Sequence, residues 1–421
     1  MPRPATTRMR RLATAALLIA ALPGQHHHTN FDETKVGAVV VPDLGAADVA
    51  TWTERRRPEL LGLFADHVFG RTPTDYGPVR VRVVAERADA LDGLATRKLL
   101  HLDLPELPQW EGMDVLLYLP NHARRPVGCF VALNFYGNHA VSPEPDLPLS
   151  HRWIDVDTTL VDHHATERSH GSDRQHWPLQ DVLEHGFALV TAYYGDVEPD
   201  HAEGWHEGLR GHLALRSPAT MQGDQAWGAI GAWAFGLSRL ADCAAAEPRI
   251  DVRRLAVLGH SRLGKAALWA GAQDPRFSIV IANEAGEGGA ALMRRDFGQT
   301  TAELVEEFPW WFARRYACYA AAPDDCPVDA HELIALVAPR PVYVASAAGD
   351  EWGDPKGEFL GAKFAERAWL LHGRRGLGSD VQPPVDTPIG DYVGYHVRSG
   401  EHDLLRWDWL QFLTFASRHW R

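Results

Sequence analysis

Residues 255–272 confine the fold of this 421-residue chain more than any other stretch. Leu255-Ala256-Val257-Leu258 is an apolar run of strand length. Ala266-Ala267-Leu268-Trp269-Ala270-Gly271-Ala272 reads as a helix packed closely through small residues. Between them stands Gly259-His260-Ser261-Arg262-Leu263-Gly264-Lys265. A strand, a sharp turn and a helix in this order would expose the Ser261 hydroxyl and aim fresh backbone N–H groups at a reacting carbonyl. The run departs from Gly-x-Ser-x-Gly, because Leu263 stands two after the serine and the glycine follows one place later.

The flanking sequence extends this pattern into a layered α/β fold. Residues 79–85 and 96–102 alternate as antiparallel strands would, and 113–119, 128–134 and 187–193 read as buried strands. Helical patterns cover 58–69, 225–245, 359–371 and 407–417, with further strands at 279–282, 342–346 and 395–397. An aromatic-rich helical insertion is expected over 300–319, and a long loop rich in His, Pro, Asp and Ser over 137–178. Alternation of strands and helices after residue 180 predicts a mostly parallel sheet flanked by helices, with the earlier strands as its antiparallel N-terminal edge. No internal repeat is evident.

Bulk properties narrow the class. A formal net charge of −13 disfavours nucleic acid as a partner, since phosphate binding needs concentrated positive charge. Arg3, Arg8, Arg10 and Arg11 followed by the apolar stretch 12–22 and Pro23-Gly24 read as an export signal over about residues 1–24, too short to span a bilayer. That leaves 25–421 as one catalytic domain, secreted or periplasmic, without a membrane anchor and expected to act as a monomer. The adjacent His26, His27 and His28 read as incidental. Cys129 and Cys243 read as buried free thiols, and Cys318 with Cys326 is the one pair spaced to attract attention. No cysteine or histidine spacing suggests a metal site, and no cofactor is expected.

A serine hydroxyl needs a base to become nucleophilic, and the base needs a carboxylate to orient it. In α/β-hydrolases these groups follow in the order serine, acid, histidine. His402, in Ser399-Gly400-Glu401-His402-Asp403, falls between the last strand and the last helix and is the natural base. His396 lies inside the strand and reads as structural, and His260 is expected to point elsewhere on the turn. Two carboxylates compete as the acid: Glu284, after the strand that follows the nucleophile, and Asp350, after the next strand. The sequence does not choose between them.

The serine run is accompanied by Asn283-Glu284-Ala285-Gly286-Glu287-Gly288-Gly289, Phe308-Pro309-Trp310-Trp311-Phe312 and Asp354-Pro355-Lys356-Gly357-Glu358-Phe359. With Trp177-Pro178-Leu179 and Tyr193-Tyr194-Gly195-Asp196, these motifs resemble bacterial members of carbohydrate esterase family 15, the glucuronoyl esterases, over essentially the whole mature chain. The resemblance implies an α/β-hydrolase fold and cleavage of the ester between 4-O-methyl-glucuronic acid of glucuronoxylan and lignin alcohols. It implies Ser261 as nucleophile, His402 as base, Glu284 and Asp350 as acids that share the work, and Arg262 as oxyanion stabiliser. Lys265, Gln299, Glu307 and Trp352 match the family's sugar contacts, although many members carry glutamate where Gln299 stands. Phe135, Tyr136 and the 137–178 loop are expected to shape the cleft, whereas Trp310 and Trp311 are expected to pack under the insertion. The competing readings are an esterase for other carbohydrate acyl groups, such as acetyl xylan, and a binding protein with a dead site.

Overall fold

The computed structural model describes residues 29–155 and 159–420, so the export signal and the histidine run lie outside the described residues. Ten strands form one sheet in the spatial order β1-β2-β3-β5-β4-β6-β7-β8-β10-β9. They are β1 Arg80–Ala90, β2 Ala95–Asp103, β3 Met113–Pro120, β4 Val127–Asn134 and β5 Ala188–Tyr193, then β6 Ile250–His260, β7 Phe277–Asn283, β8 Val342–Ala347, β9 Ile389–Gly390 and β10 Val393–Arg398. β1, β2, β3 and β5 pair antiparallel in turn. From β5 through β4, β6, β7 and β8 to β10 every pairing is parallel, and β9 adds an antiparallel rim. This is the α/β-hydrolase arrangement, with the antiparallel N-terminal edge where the alternating pattern put it.

The pleat sends successive side chains to opposite faces, and this builds two buried layers. Cys129, Val131 and Leu133 of β4 join Leu255 and Val257 of β6 in one layer. Phe130 and Ala132 join Ala256 and Leu258 in the other. The edge strand β1 is blunted by exposed charge and a register shift between Val83 and Ala85, which discourages pairing with another chain.

Several elements differ from the periodicity reading, among them the helices Leu209–Arg216 and Ala330–Ala335, which it did not place. Residues 49–69 are continuously helical, starting earlier than residue 58, because the Asp48 carboxylate caps Thr51 N at 2.7 Å. The insertion is not one helix. It is Thr301–Glu307 followed by a 3-10 turn Arg314–Tyr319, since Pro309 cannot continue the first helix. The 137–178 loop carries short helical turns such as Asn138–Val141 and Arg174–His176. All four cysteines are free, Cys318 exposed and the other three buried, so the 318/326 spacing makes no disulfide.

Strand order positions the site. The chain moves outward from β4 to β5 and then returns to the far side of β4 as β6. Such a reversal leaves a crevice at the carboxyl ends of the strands. The turn after β6 depends on Gly259, where an added Cβ would lie 1.9 Å from the Leu263 carbonyl oxygen. Gly259→Ala is expected to cost at least about 2 kcal/mol, read as a fall in the thermal unfolding midpoint, through backbone displacement in a packed turn.

Candidate active site

Ser261 links β6 to the helix Arg262–Gln273 with φ +56° and ψ −129°, a region that side-chain-bearing residues rarely occupy. The strain is held by neighbours: Ser261 N donates to Asn283 O at 2.9 Å, and Gly264 N to Ser261 O at 2.8 Å. The late glycine now has a physical reason. A Cβ at Gly264 would sit 3.0 Å from the Ala285 Cβ and 3.2 Å from Asn283 O, so this position lets the helix touch the loop after β7.

That loop and its neighbours bring the titratable groups together. His402, after β10, points Nδ1 at two carboxylates: Asp350 Oδ2 at 2.7 Å and Glu284 Oε2 at 3.1 Å. The two acids are held differently. Glu284 is fully buried and also accepts from Arg398 Nη2 at 2.7 Å and from Asp403 N at 2.9 Å. Asp350 accepts from Gly353 N at 3.1 Å. Burial pushes the Glu284 carboxyl above its ordinary range, against the pull of His402 and Arg398. For His402, burial disfavours the imidazolium, but the bonds to Asp350 and Glu284 outweigh it and raise the group to about 9. Both acids that the sequence left in competition therefore contact the same nitrogen.

Arg262 follows the serine, and its Nη1 pairs with Asp200. Its guanidinium lies 5.0 Å from the Trp311 ring centroid and 5.7 Å from that of Phe135. Asp200 Oδ1 accepts from Trp310 Nε1 at 2.8 Å and Trp311 Nε1 at 2.7 Å. The tryptophans thus do more than pack: their N–H groups fix the carboxylate that fixes Arg262. Sequence reasoning missed Asp200, whose only signal was its place in the acidic run Asp196-Val197-Glu198-Pro199-Asp200 that follows β5.

A cleft of about 260 Å³ opens over Ser261, Arg262 and His402. Phe135 and Tyr136 after β4 line it, as do His176 and Trp177 from the 137–178 loop, in line with expectation. His260 corrects the expectation that it points away. It lines the cleft, and its ring centroid lies 4.6 Å from that of His402. A turn this tight leaves the residue before the serine beside the loop after β10. His396, by contrast, is buried between Asp408 and Tyr343, a structural histidine as read.

The four residues matched to sugar contacts do not line this cleft. Lys265 is buried, 4 % exposed, with Nζ donating to Ala285 O at 2.5 Å. Burial lowers it to about 8 although the Glu287 and Glu358 carboxylates favour its charge. Gln299 and Trp352 are neighbours, joined by Gln299 N to Trp352 O at 2.9 Å, and Trp352 is 39 % exposed. Glu307 ends its helix on the surface. Among the described residues, His260, Glu284 and His402 have ligand atoms within 4.8 Å of one another, close enough to share a metal ion. His260 Nδ1 and His402 Nδ1 are already engaged by Asn283 and the two acids.

A family model described as glucuronyl esterase of fungi matches residues 220–373. The chain is 36 % identical over 399 residues to the carbohydrate esterase MZ0003 from an unknown prokaryotic organism, covering 93 % of this chain and 92 % of that one. It is 37 % identical over 178 residues to the 4-O-methyl-glucuronoyl methylesterase of Hypocrea jecorina, covering 40 % and 35 % of the two chains. The solved glucuronoyl esterase from Solibacter usitatus superposes with a TM-score of 0.87 at 41 % identity, over 92 % of this chain and all of that one. A promiscuous CE15 esterase from a marine bacterial metagenome gives a TM-score of 0.87 at 36 % identity, over 93 % and 100 %. The sheet and its flanking helices define an α/β-hydrolase, and the relatives place the chain in the carboxylic ester hydrolase class. Within it, the chain belongs to carbohydrate esterase family 15, the glucuronoyl esterases.

The geometry separates the two acids experimentally. Asp350→Asn should lower the His402 titration midpoint from about 9, because the imidazolium loses an anionic partner, and NMR titration of labelled histidine reads this directly. Glu284→Gln should cost stability of about 3 kcal/mol, by denaturant unfolding, because it leaves Arg398 short of a buried counter-charge.

Proposed function

We propose that this protein hydrolyses the ester between (4-O-methyl-)glucuronic acid of glucuronoxylan and lignin alcohols. In this reading it works through a glucuronoyl-serine intermediate, as an exported monomer in the secreted or periplasmic space. The carrying observation is the His402 imidazole, tied by one nitrogen to Asp350 and Glu284 while sharing a cleft with Ser261 and the anchored Arg262. Relatives described as glucuronoyl esterases and 4-O-methyl-glucuronoyl methylesterases support the substrate class. The export reading rests on residues 1–24, and no described helix is long and apolar enough to cross a membrane.

The chemistry follows from the parts. His402 takes the Ser261 proton, and the serine oxygen attacks the uronate C6 carbonyl. Negative charge develops on the carbonyl oxygen beside Arg262 and the backbone N–H groups at the start of its helix. Asp200 holds Arg262 in place, so little reorganisation is needed when the charge appears. The alcohol leaves with the proton from His402, and water then releases the acid by the same route. Trp352 offers an exposed ring face to sugar C–H groups, with Gln299 beside it. Lys265 and Glu307 enter this reading only by their match to the family's uronate contacts, since neither lines the cleft over Ser261.

Relative rates on a benzyl glucuronate ester and on acetylated xylan test the substrate class; preference for acetate overturns it. A serine-directed phosphonate should label Ser261, and an unlabelled protein would revive the dead-site reading. Asp350→Asn and Glu284→Gln should each keep substantial activity, whereas the double variant loses most of it. Near-total loss from either single change refutes shared duty. Arg262→Met should lower kcat about 100-fold with a smaller change in KM. Because His402 must be neutral to act as base, kcat/KM should fall as pH drops through about 9.

A further inference from the structure

The cleft beside Ser261 adjoins the loop that carries the base: Asp403 and Leu404 form part of its wall. An ester's leaving oxygen must come within hydrogen-bond reach of the group that protonates it. On the function proposed above, this is therefore the side on which the alcohol departs. The walls mix apolar groups, Leu133, Phe135, Trp177 and Leu258, with polar ones, and three of the polar lining groups are tied to one another. Asp173 accepts from Trp177 Nε1 and pairs with His176, whose Nε2 meets Asp403. His260 is different.

Asn283 Nδ2 lies 2.9 Å from His260 Nδ1, 3.0 Å from Asp403 O and 3.4 Å from Glu284 Oε1. Turning the amide over would set its oxygen against a carbonyl and a carboxylate oxygen, so the amide nitrogen is the donor and His260 Nδ1 the acceptor. A neutral imidazole that accepts at Nδ1 carries its proton on Nε2. Among the described residues, Nε2 has no hydrogen-bond partner, and the ring lines the cleft. Burial, with His402 alongside, holds the His260 pKa well below the ordinary histidine value.

We propose that His260 presents a fixed, neutral N–H donor to the leaving alcohol and selects alcohols that carry an oxygen acceptor. Aryl-alkyl alcohols with an ether or phenol oxygen fit this chemistry, with the ring against the apolar walls and the oxygen on Nε2–H. Once a bound alcohol displaces water from this N–H, an alcohol lacking the oxygen leaves the donor unpaired, and this makes a single N–H selective. Asn283 acts through His260 by setting its tautomer.

The test compares kcat/KM on glucuronate esters of benzyl alcohol and of its 2-, 3- and 4-methoxy derivatives. The unmodified protein should favour at least one methoxy isomer over benzyl by about three- to tenfold. His260→Phe keeps a ring against His402 and should erase that preference, while His260→Gln restores part of it through its amide N–H. A preference that survives in His260→Phe, or none in the unmodified protein, overturns the inference. Failure to cleave any glucuronate ester would instead remove the substrate reading. Nitrogen chemical shifts of labelled His260 decide the donor independently of folding or activity of the variants: a proton on Nε2 is expected, and one on Nδ1 overturns it.

Discussion

The Arg398 guanidinium, buried at the end of β10, is the contact on which the site depends. It bonds Glu284 Oε1 at 2.7 Å and Asp408 Oδ2 at 3.0 Å, so one cation joins the loop after β7 to the closing helix Arg406–His419. It also donates to the carbonyls of Ser399, Glu401 and Asp403. These bonds pin the loop that carries His402 from inside. Asp408 extends the network to His396 Nε2 and to Leu405 N. A buried charge is costly unless its partners are complete, and here the partners are the loop itself, so the loop cannot relax without exposing the cost.

This arrangement holds the two acids differently. Glu284 spends part of its charge on Arg398 and Asp403, and so belongs to the scaffold as much as to the imidazole. Asp350 is the closer to His402 Nδ1 and is held chiefly by the turn that follows it. Arg262 is built on the same logic. Its counter-ion Asp200 is itself held by two indole N–H groups, so a cation remains fixed beside the serine in an acidic protein. Both devices hold a charged group in one position through buried partners.

The serine turn ties these parts to the sheet. Ser261 N bonds Asn283 O, and the side chain of Asn283 reaches Asp403 O and His260 Nδ1. One residue at the end of β7 thereby touches the Ser261 backbone, the loop that carries His402 and the histidine before the serine. Strain at Ser261 is affordable because three elements hold it at once.

Much of this was legible in the chain order. Periodicity located most strands, because a buried parallel strand needs a continuous apolar run and an edge strand alternates. Ser261, His402, Glu284 and Asp350 stood out in the sequence because each follows a strand, and the structure brings these strand ends to one place. Pro309 was in view, yet a helix was expected across it, since aromatic content masked the break. What sequence alone could not decide were contacts between distant segments. That both acids meet one nitrogen, that Asp200 anchors Arg262, and that His260 faces the cleft depend on distances set by sheet order and loop packing. Local spacing carries no record of those distances. The linear chain determined which groups are present and at which strand ends; only the tertiary structure decided which of them touch, because hydrogen bonds and burial act across space.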